Sequence, residues 1–298
     1  MKSGGEIVYN SLVNIPAIYF DLDGTLLDEP NEHGDFFIRE SAIAEIRNYQ
    51  ACGGQVGIAT GRTIQQTLPF IGPGNHQIQP DLPLITFNGA LTQNYNYLEQ
   101  TITNIEPLDQ EAARQFIEEA RNLSDVIGLV VYGAIYTVVD DAQELQTYLF
   151  DNNVTNFQED YNLTLPEDDF ILNVVAVFSS SASRQNLEVL NNLNDDTNLI
   201  LMRRETVELV GANTHKSPAI SRAAADAGFD ISMILYFGDS HNDLDILEAA
   251  GWGVAMGNCR SGACQAADEI IDTNHTDAIA DYLMEFAITN TCYNLSGF

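Results

Sequence analysis

Lysine is nearly absent from this chain: Lys2 and Lys216 are the only two in 298 residues, and 12 Lys+Arg stand against 43 Asp+Glu for a formal net charge of −31. A surface so acidic excludes nucleic acid and anionic membranes as partners, since both select a basic face. Long apolar runs are also missing. Glu6, Asn10 and Asn14 interrupt the amino-terminal stretch, and no segment approaches the roughly 20 residues that span a bilayer, so a cytoplasmic protein is expected. Cysteine is scarce: Cys52, Cys259, Cys264 and Cys292 lack both CxxC spacing and a neighbouring histidine pair, which excludes a zinc site and predicts reduced thiols. No internal repeat or low-complexity tract occurs.

What is present is the material of a globular protein, with 45% hydrophobic residues and length for about two domains. The first section alternates strand and helix. A strand runs to Asp21, a helix over 38–49, a strand over 55–59, a helix near 63–70 and a strand over 84–87, a pattern that predicts a doubly wound parallel sheet. From about Ala90 the grammar changes. Helices over 109–123, 142–150 and 183–193 are interspersed with β runs over 127–139, 170–178, 199–203 and 206–210, which predicts an α+β module with an antiparallel sheet. After Gly211 the parallel grammar resumes, with helices over 217–227, 244–250, 262–267 and 276–286 alternating with strands over 233–237, 252–255 and 269–271. The reading is therefore an α/β protein: a Rossmann-like doubly wound core of residues 1–89 and 211–298, enclosing an inserted α+β cap of residues 90–210.

The chemistry-bearing residues fall at strand ends. The apolar run before Gly24 ends on Asp21 and Asp23, at the carboxyl edge where parallel sheets bind ligands. Two carboxylates this close repel unless a proton or cation intervenes, which points to a hard metal such as Mg2+, or to an Asx turn using the same residues. Thr60 ends the second strand and is either an anion donor or part of an ST turn. Asp239, Asn242 and Asp243 follow the strand at 233–237, as metal-site residues or as a helix amino-terminal cap. Lys216 opens the preceding helix, where the helix dipole disfavours a merely solvated cation. Together these residues suit phosphoryl transfer, in which positive charge must screen anionic oxygens before a nucleophile can reach phosphorus.

The segments Asp21-Leu22-Asp23-Gly24-Thr25-Leu26, Ala59-Thr60-Gly61-Arg62, Lys216 and Gly238-Asp239-Ser240-His241-Asn242-Asp243 resemble the four motifs of the haloacid dehalogenase-like hydrolases. Ile85-Thr86-Phe87-Asn88-Gly89-Ala90 and Gly253-Val254-Ala255-Met256-Gly257-Asn258 are similar to segments of the Cof-type phosphatases, whose cap is inserted where the grammar changes here. The resemblance implies that Asp21 is a nucleophile forming an aspartyl phosphate and that Asp23 is the general acid and then base. It implies that Thr60, Gly61, Lys216 and Asn242 bind phosphate. It also implies that Asp21, Asp23 through its carbonyl, and Asp239 hold Mg2+, with Asp243 and Asn242 orienting that shell. Arg62 and Asn88 either touch the phosphate or leaving group or stabilise turns. His215, and Ser217-Pro218 after the lysine, depart from the family pattern, although Pro218 suits a first helical turn. His241 is one imidazole in an oxygen-rich set, which fits Mg2+ better than a transition metal.

The expected activity is Mg2+-dependent hydrolysis of small soluble phosphomonoesters: sugar phosphates, polyol phosphates or phosphorylated cofactors. A phosphomutase or phosphotransferase would use the same intermediate, and a non-catalytic phosphate sensor would need only the scaffold. Residues within 108–210 would read the substrate, but no motif there names it. The acidity itself is expected to reflect a surface suited to high salt, where self-repulsion is screened. The melting temperature is therefore expected to rise from dilute buffer to molar KCl; a flat or falling value contradicts that account.

Overall fold

The computed structural model describes residues 15–28, 30, 35–96, 99–180, 190, 197–203 and 205–290. The expected helix over 183–193 and the tail after Asn290 lie outside the described residues, apart from Leu190. In chain order the first elements are β1 (Ala17–Phe20), α1 (Glu40–Ala51), β2 (Gln55–Ile58), α2 (Ile64–Thr67), β3 (Leu84–Thr86), β4 (Leu91–Asn96) and β5 (Glu99–Ile105). Next come α3 (Gln110–Arg121), β6 (Val126–Gly133), β7 (Thr137–Val139), α4 (Gln146–Asp151), β8 (Gln158–Glu159), β9 (Ile171–Phe178), β10 (Thr197–Arg203) and β11 (Thr206–Gly211). The chain then continues through α5 (Lys216–Asp226), β12 (Ile234–Gly238), α6 (Leu244–Ala249), β13 (Trp252–Ala255), α7 (Ser261–Ala266), β14 (Glu269–Ile270) and α8 (Ala278–Asn290).

The chain divides into two compact units, one of Met1–Arg62, Thr67–Thr103 and His215–Phe298, the other of Thr63–Gln66 and Asn104–Thr214. The first unit holds a five-stranded sheet in the order β14-β13-β12-β1-β2, every pair parallel. Tyr19 lies opposite Tyr236 and Phe20 opposite Phe237. Because both faces are buried, β1 and β12 read in the sequence as unbroken apolar runs. Ala17, Tyr19, Ile234 and Tyr236 pack with Ala219 and Ile220 of α5, Ile246 of α6 and Ala263 of α7. On the other face Phe20 stacks on Phe237 at 4.9 Å and Tyr282 of α8 meets Phe237 edge-on at 5.4 Å. Helices therefore cover both faces, the doubly wound arrangement.

The strand expected over 84–87 departs from this plan. β3 ends at Thr86 and pairs antiparallel with β4 in a separate sheet, β3-β4-β5. Its links to β2's end are the Ala59–Ile85 bridge and a 2.9 Å bond from the Thr60 N–H to the Ile85 carbonyl. The cause lies in the turn: Phe87 and Asn88 adopt left-handed backbone at φ 50° and 55°, and Gly89 follows at φ 105°, which reverses the chain. A Cβ on Gly89 would lie 2.2 Å from the His215 carbonyl, so a side chain there is excluded. The antiparallel return also moves the division between units to 103/104 from the 89/90 read in the sequence.

The second unit carries a six-stranded sheet, β10-β11-β9-β6-β7-β8, antiparallel except for β7 with β8. The β run expected over 127–139 is the β6–β7 hairpin. Alternate residues Leu129, Val131, Val174, Ala176, Val207 and Leu209 form one core with Ala113, Phe116 and Ala120 of α3. The Asp109 carboxylate caps α3 by accepting from the Ala112 N–H at 2.8 Å, as expected of an Asp at this position.

The cysteines differ from expectation. Cys259 and Cys264 form a disulfide, and Cys52 is disulfide-bonded as well. The turn into α7 brings the Cα atoms of Cys259 and Cys264 to 5.5 Å, inside the bridging range, a closeness that their five-residue spacing does not reveal. No helix among the described residues is long and apolar enough to cross a membrane.

Candidate active site

Because β1 and β12 are neighbours in the parallel sheet, their carboxyl ends deliver Asp21 and Asp239 to one place. Asp21, Asp239 and Asp243 offer carboxylate oxygens that all lie within 4.8 Å of one another. Gly24, at φ 73°, makes this approach possible: a Cβ there would sit 2.4 Å from an Asp239 carboxylate oxygen. Among them lies Lys216, fully buried, with its ammonium 2.7 Å from Asp21 Oδ1 and 2.8 Å from Asp243 Oδ1.

The electrostatics follow from this crowding. Burial alone would depress the Lys216 ammonium, but Asp21 and Asp243 outweigh it and hold it above its ordinary value. Burial, opposed by Lys216 and reinforced by Asp243, Asp23 and Asp239, drives the Asp21 carboxyl well above the usual carboxylate range. Asp239 is pushed up to about 7, first by burial and then by Asp243. Those two directions compete for the Lys216–Asp21 pair. An ammonium between two acceptors keeps its proton, so the charge excess falls on the carboxylates. With all three carboxylates ionised, two negative charges would stand in excess of the one ammonium, and Arg260 offsets Asp239 only in part.

The other expected residues resolve individually. Both oxygens of Asp243 are engaged: its Oδ1 takes Lys216 and the Tyr236 hydroxyl at 2.5 Å, and its Oδ2 accepts the N–H groups of Asp239 and Ser240 at 3.0 and 2.9 Å. It therefore builds the loop, as helix-cap chemistry would. Asn242 donates to Asn88 Oδ1 at 2.8 Å and accepts from the Ser240 hydroxyl at 2.6 Å, so Asn88 and Asn242 tie the two loops together. A Cβ on Gly61 would lie 3.0 Å from Asn88 Oδ1. Thr60 is buried and its hydroxyl accepts the Arg62 N–H at 3.2 Å, leaving its own proton to donate. Asp23 is half exposed at 52%, with its carboxylate gripped by Arg62 through two bonds of 2.7 and 2.6 Å. Phe36 and Phe70 each place a ring 5.2 Å from the Arg62 guanidinium, which restricts it further. His215 and His241 are exposed.

Two contributors were given no role in the sequence reading. Tyr236 looks like one more apolar residue of β12, yet its hydroxyl bonds Asp243 and accepts from Lys216 at 3.3 Å; the available signal is that a tyrosine buried inside a parallel sheet must find a partner for its hydroxyl. Asn258 donates to the Gly24 carbonyl at 2.7 Å and accepts the Asn274 N–H at 3.1 Å, fixing the turn that follows Asp23.

An α/β core whose central strands end on facing aspartates, with a buried lysine between them and a second α+β unit inserted, defines a class of hydrolases. The chain belongs to the haloacid dehalogenase-like hydrolases, whose family model matches residues 18–283. It is 27% identical to the Bacillus subtilis 5-amino-6-(5-phospho-D-ribitylamino)uracil phosphatase over 278 residues, 90% of this chain and 96% of that protein. It is 26% identical to the Escherichia coli pyridoxal phosphate phosphatase over 290 residues, 91% and 98% of the two chains. Among solved structures, a haloacid dehalogenase-like hydrolase from Bacteroides thetaiotaomicron superposes with a TM-score of 0.73 at 23% identity, covering 90% of this chain and 98% of that one.

The Tyr236 hydroxyl is expected to matter for stability. Tyr236→Phe should cost about 1.5–3 kcal/mol, the range for a hydrogen bond to a charged group, in urea unfolding; an unchanged midpoint contradicts the role assigned to it.

Proposed function

We propose that the chain is a Mg2+-dependent phosphatase that hydrolyses small phosphomonoesters through an aspartyl phosphate on Asp21. The observation that carries the reading is the crowding of three carboxylates around the single ammonium of Lys216, whose ionised forms a divalent cation would balance. The donor set fits Mg2+: it is made of hard oxygens, and Gly24 leaves Asp239 room to approach. Asp21, Asp239 and the carbonyl of Asp23 would hold the ion, which when bound supplies positive charge to the phosphoryl oxygens.

Every other part is played by side chains. Lys216 keeps Asp21 aimed through Oδ1, leaving the second carboxylate oxygen to attack phosphorus. As the P–O bond to the leaving group breaks, Asp23 gives its proton to the departing alkoxide. Asp23 then takes a proton from water, which attacks the aspartyl phosphate, frees inorganic phosphate and regenerates Asp21. The contrast between the two aspartates supports this division, since Asp21 is buried among charges while Asp23 is exposed enough to exchange protons with an incoming group. Thr60 and Lys216 donate to the phosphoryl oxygens, and the Arg62 fork orients Asp23. The inserted unit, Asn104–Thr214 in the main, selects the leaving group.

Phosphate release from p-nitrophenyl phosphate, with and without Mg2+, tests the reading. Release should require Mg2+, vanish in Asp21→Asn and fall by roughly a hundred- to ten-thousand-fold in Asp23→Ala, the usual worth of a general acid. No release from the native chain favours a sensor, and a loss below about tenfold removes Asp23 from that role.

A further inference from the structure

The Cys259–Cys264 disulfide sits beside the candidate active site, at the carboxyl edge of the parallel sheet. Cys259 follows Asn258, whose side chain donates to the Gly24 carbonyl at 2.7 Å and accepts the Asn274 N–H at 3.1 Å. Asn274 in turn donates through Nδ2 to the Leu27 carbonyl at 2.8 Å. On the other side of Cys259, Arg260 donates its backbone N–H to the Asp239 carbonyl at 2.8 Å. One turn therefore braces both loops of the site, the one after Asp23 and the one that carries Asp239. Those loops touch, since a Cβ on Gly24 would lie 2.4 Å from an Asp239 carboxylate oxygen. Cys264 belongs to α7, which Ala263 anchors in the hydrophobic core. The bridge thus ties the bracing turn to a fixed helix.

This bridge is poorly placed to be only a staple. It joins residues at a sequence separation of 5, and the entropy that a disulfide removes from the unfolded chain is smallest for short loops. Both of its cysteines are only part-buried, which leaves the sulfurs open to an attacking thiolate. Cys52, by contrast, is bonded at the end of α1 just before β2, on the amino edge of the sheet and away from the site. We propose that the Cys259–Cys264 bridge is a redox switch on the active site, opened by a dithiol. Reduction frees the turn, loosens its hold on Gly24 and Asp239 and lowers activity. One thiolate of the dithiol attacks a bridge sulfur, the S–S bond breaks and a mixed disulfide forms; the second thiolate of the dithiol then displaces the remaining cysteine. Two electrons and two protons pass to Cys259 and Cys264, and the dithiol leaves as its own disulfide, which closes the bridge again by the reverse exchange. The effect on activity rests on the phosphatase reading, whereas the release of the turn does not.

The test compares the native chain before and after dithiothreitol with Cys264→Ser, using alkylation and mass mapping to identify the reduced cysteines. Dithiothreitol should reduce Cys259 and Cys264 in the folded chain. Hydrogen exchange at the Arg260 N–H, read without Mg2+, should then quicken by roughly three- to tenfold, the worth of about one hydrogen bond, while the amides of β1 keep their protection. With p-nitrophenyl phosphate, kcat/KM should fall by a similar factor and the half-saturating Mg2+ concentration should rise, a shift that a staple remote from the site does not produce. Cys264→Ser should match the reduced native chain and ignore dithiothreitol. A bridge that resists reduction in the folded chain, unchanged exchange at Arg260, equal measurable activity in both redox states, or a dithiothreitol response that survives Cys264→Ser overturns the proposal. If Cys264→Ser does not fold, Cys259→Ser takes its place, and failure of both to fold marks the bridge as structural and overturns the switch as well. With no release of nitrophenol in either state the phosphatase reading fails, and the exchange comparison alone decides whether reduction frees the turn.

Discussion

A single buried ammonium organises this molecule. Lys216 cannot lie fully buried at the start of a helix unless anions surround it, because both desolvation and the helix dipole oppose its charge. Asp21 and Asp243 supply those anions from two different loops, and Tyr236 and the N–H groups of Asp239 and Ser240 saturate Asp243 in turn. The cluster thereby fixes where β1, β12 and α5 end relative to one another. It also overshoots, because Asp239 brings a third carboxylate where one ammonium cannot balance them. The excess is costly as it stands, and the proposed function rests on a divalent cation relieving it.

Much of this was legible in the sequence because parallel sheets write their active edges plainly. An apolar strand followed at once by Asp21-Leu22-Asp23-Gly24, and another followed by Gly238-Asp239, mark adjacent strand ends without any knowledge of packing. Lys216 stood out because the chain has almost no other lysine. Legibility failed where a residue's partner lies far along the chain. Asp243 read as a residue orienting a metal shell, with a helix cap as the alternative, and its meeting with Lys216 and Tyr236 was not legible in its spacing. Arg62 grips Asp23, 39 positions away, a pairing that neither reading of Arg62 had named. The exit of β3 from the main sheet depends on left-handed backbone at Phe87 and Asn88, residues whose types do not announce it.

The inserted unit was legible as architecture and silent as chemistry. Its β runs and helices follow ordinary periodicities, so the antiparallel sheet and its core against α3 emerge from apolar alternation. A polar cluster is different: Tyr132, Asn173 and Glu208 are scattered over three strands and fall on one surface only through register. Isolated in the sequence, each is an ordinary polar residue in a strand.

The central claim is that the carboxylates around Lys216 are completed by one divalent cation. Calorimetric titration of Mg2+ into the native chain in molar KCl tests it most directly, because the salt screens diffuse attraction to a chain of net charge −31 and leaves a built site. The account predicts one saturable site per chain, lost in Asp239→Asn. No saturable binding, or binding that survives Asp239→Asn unchanged, would contradict it.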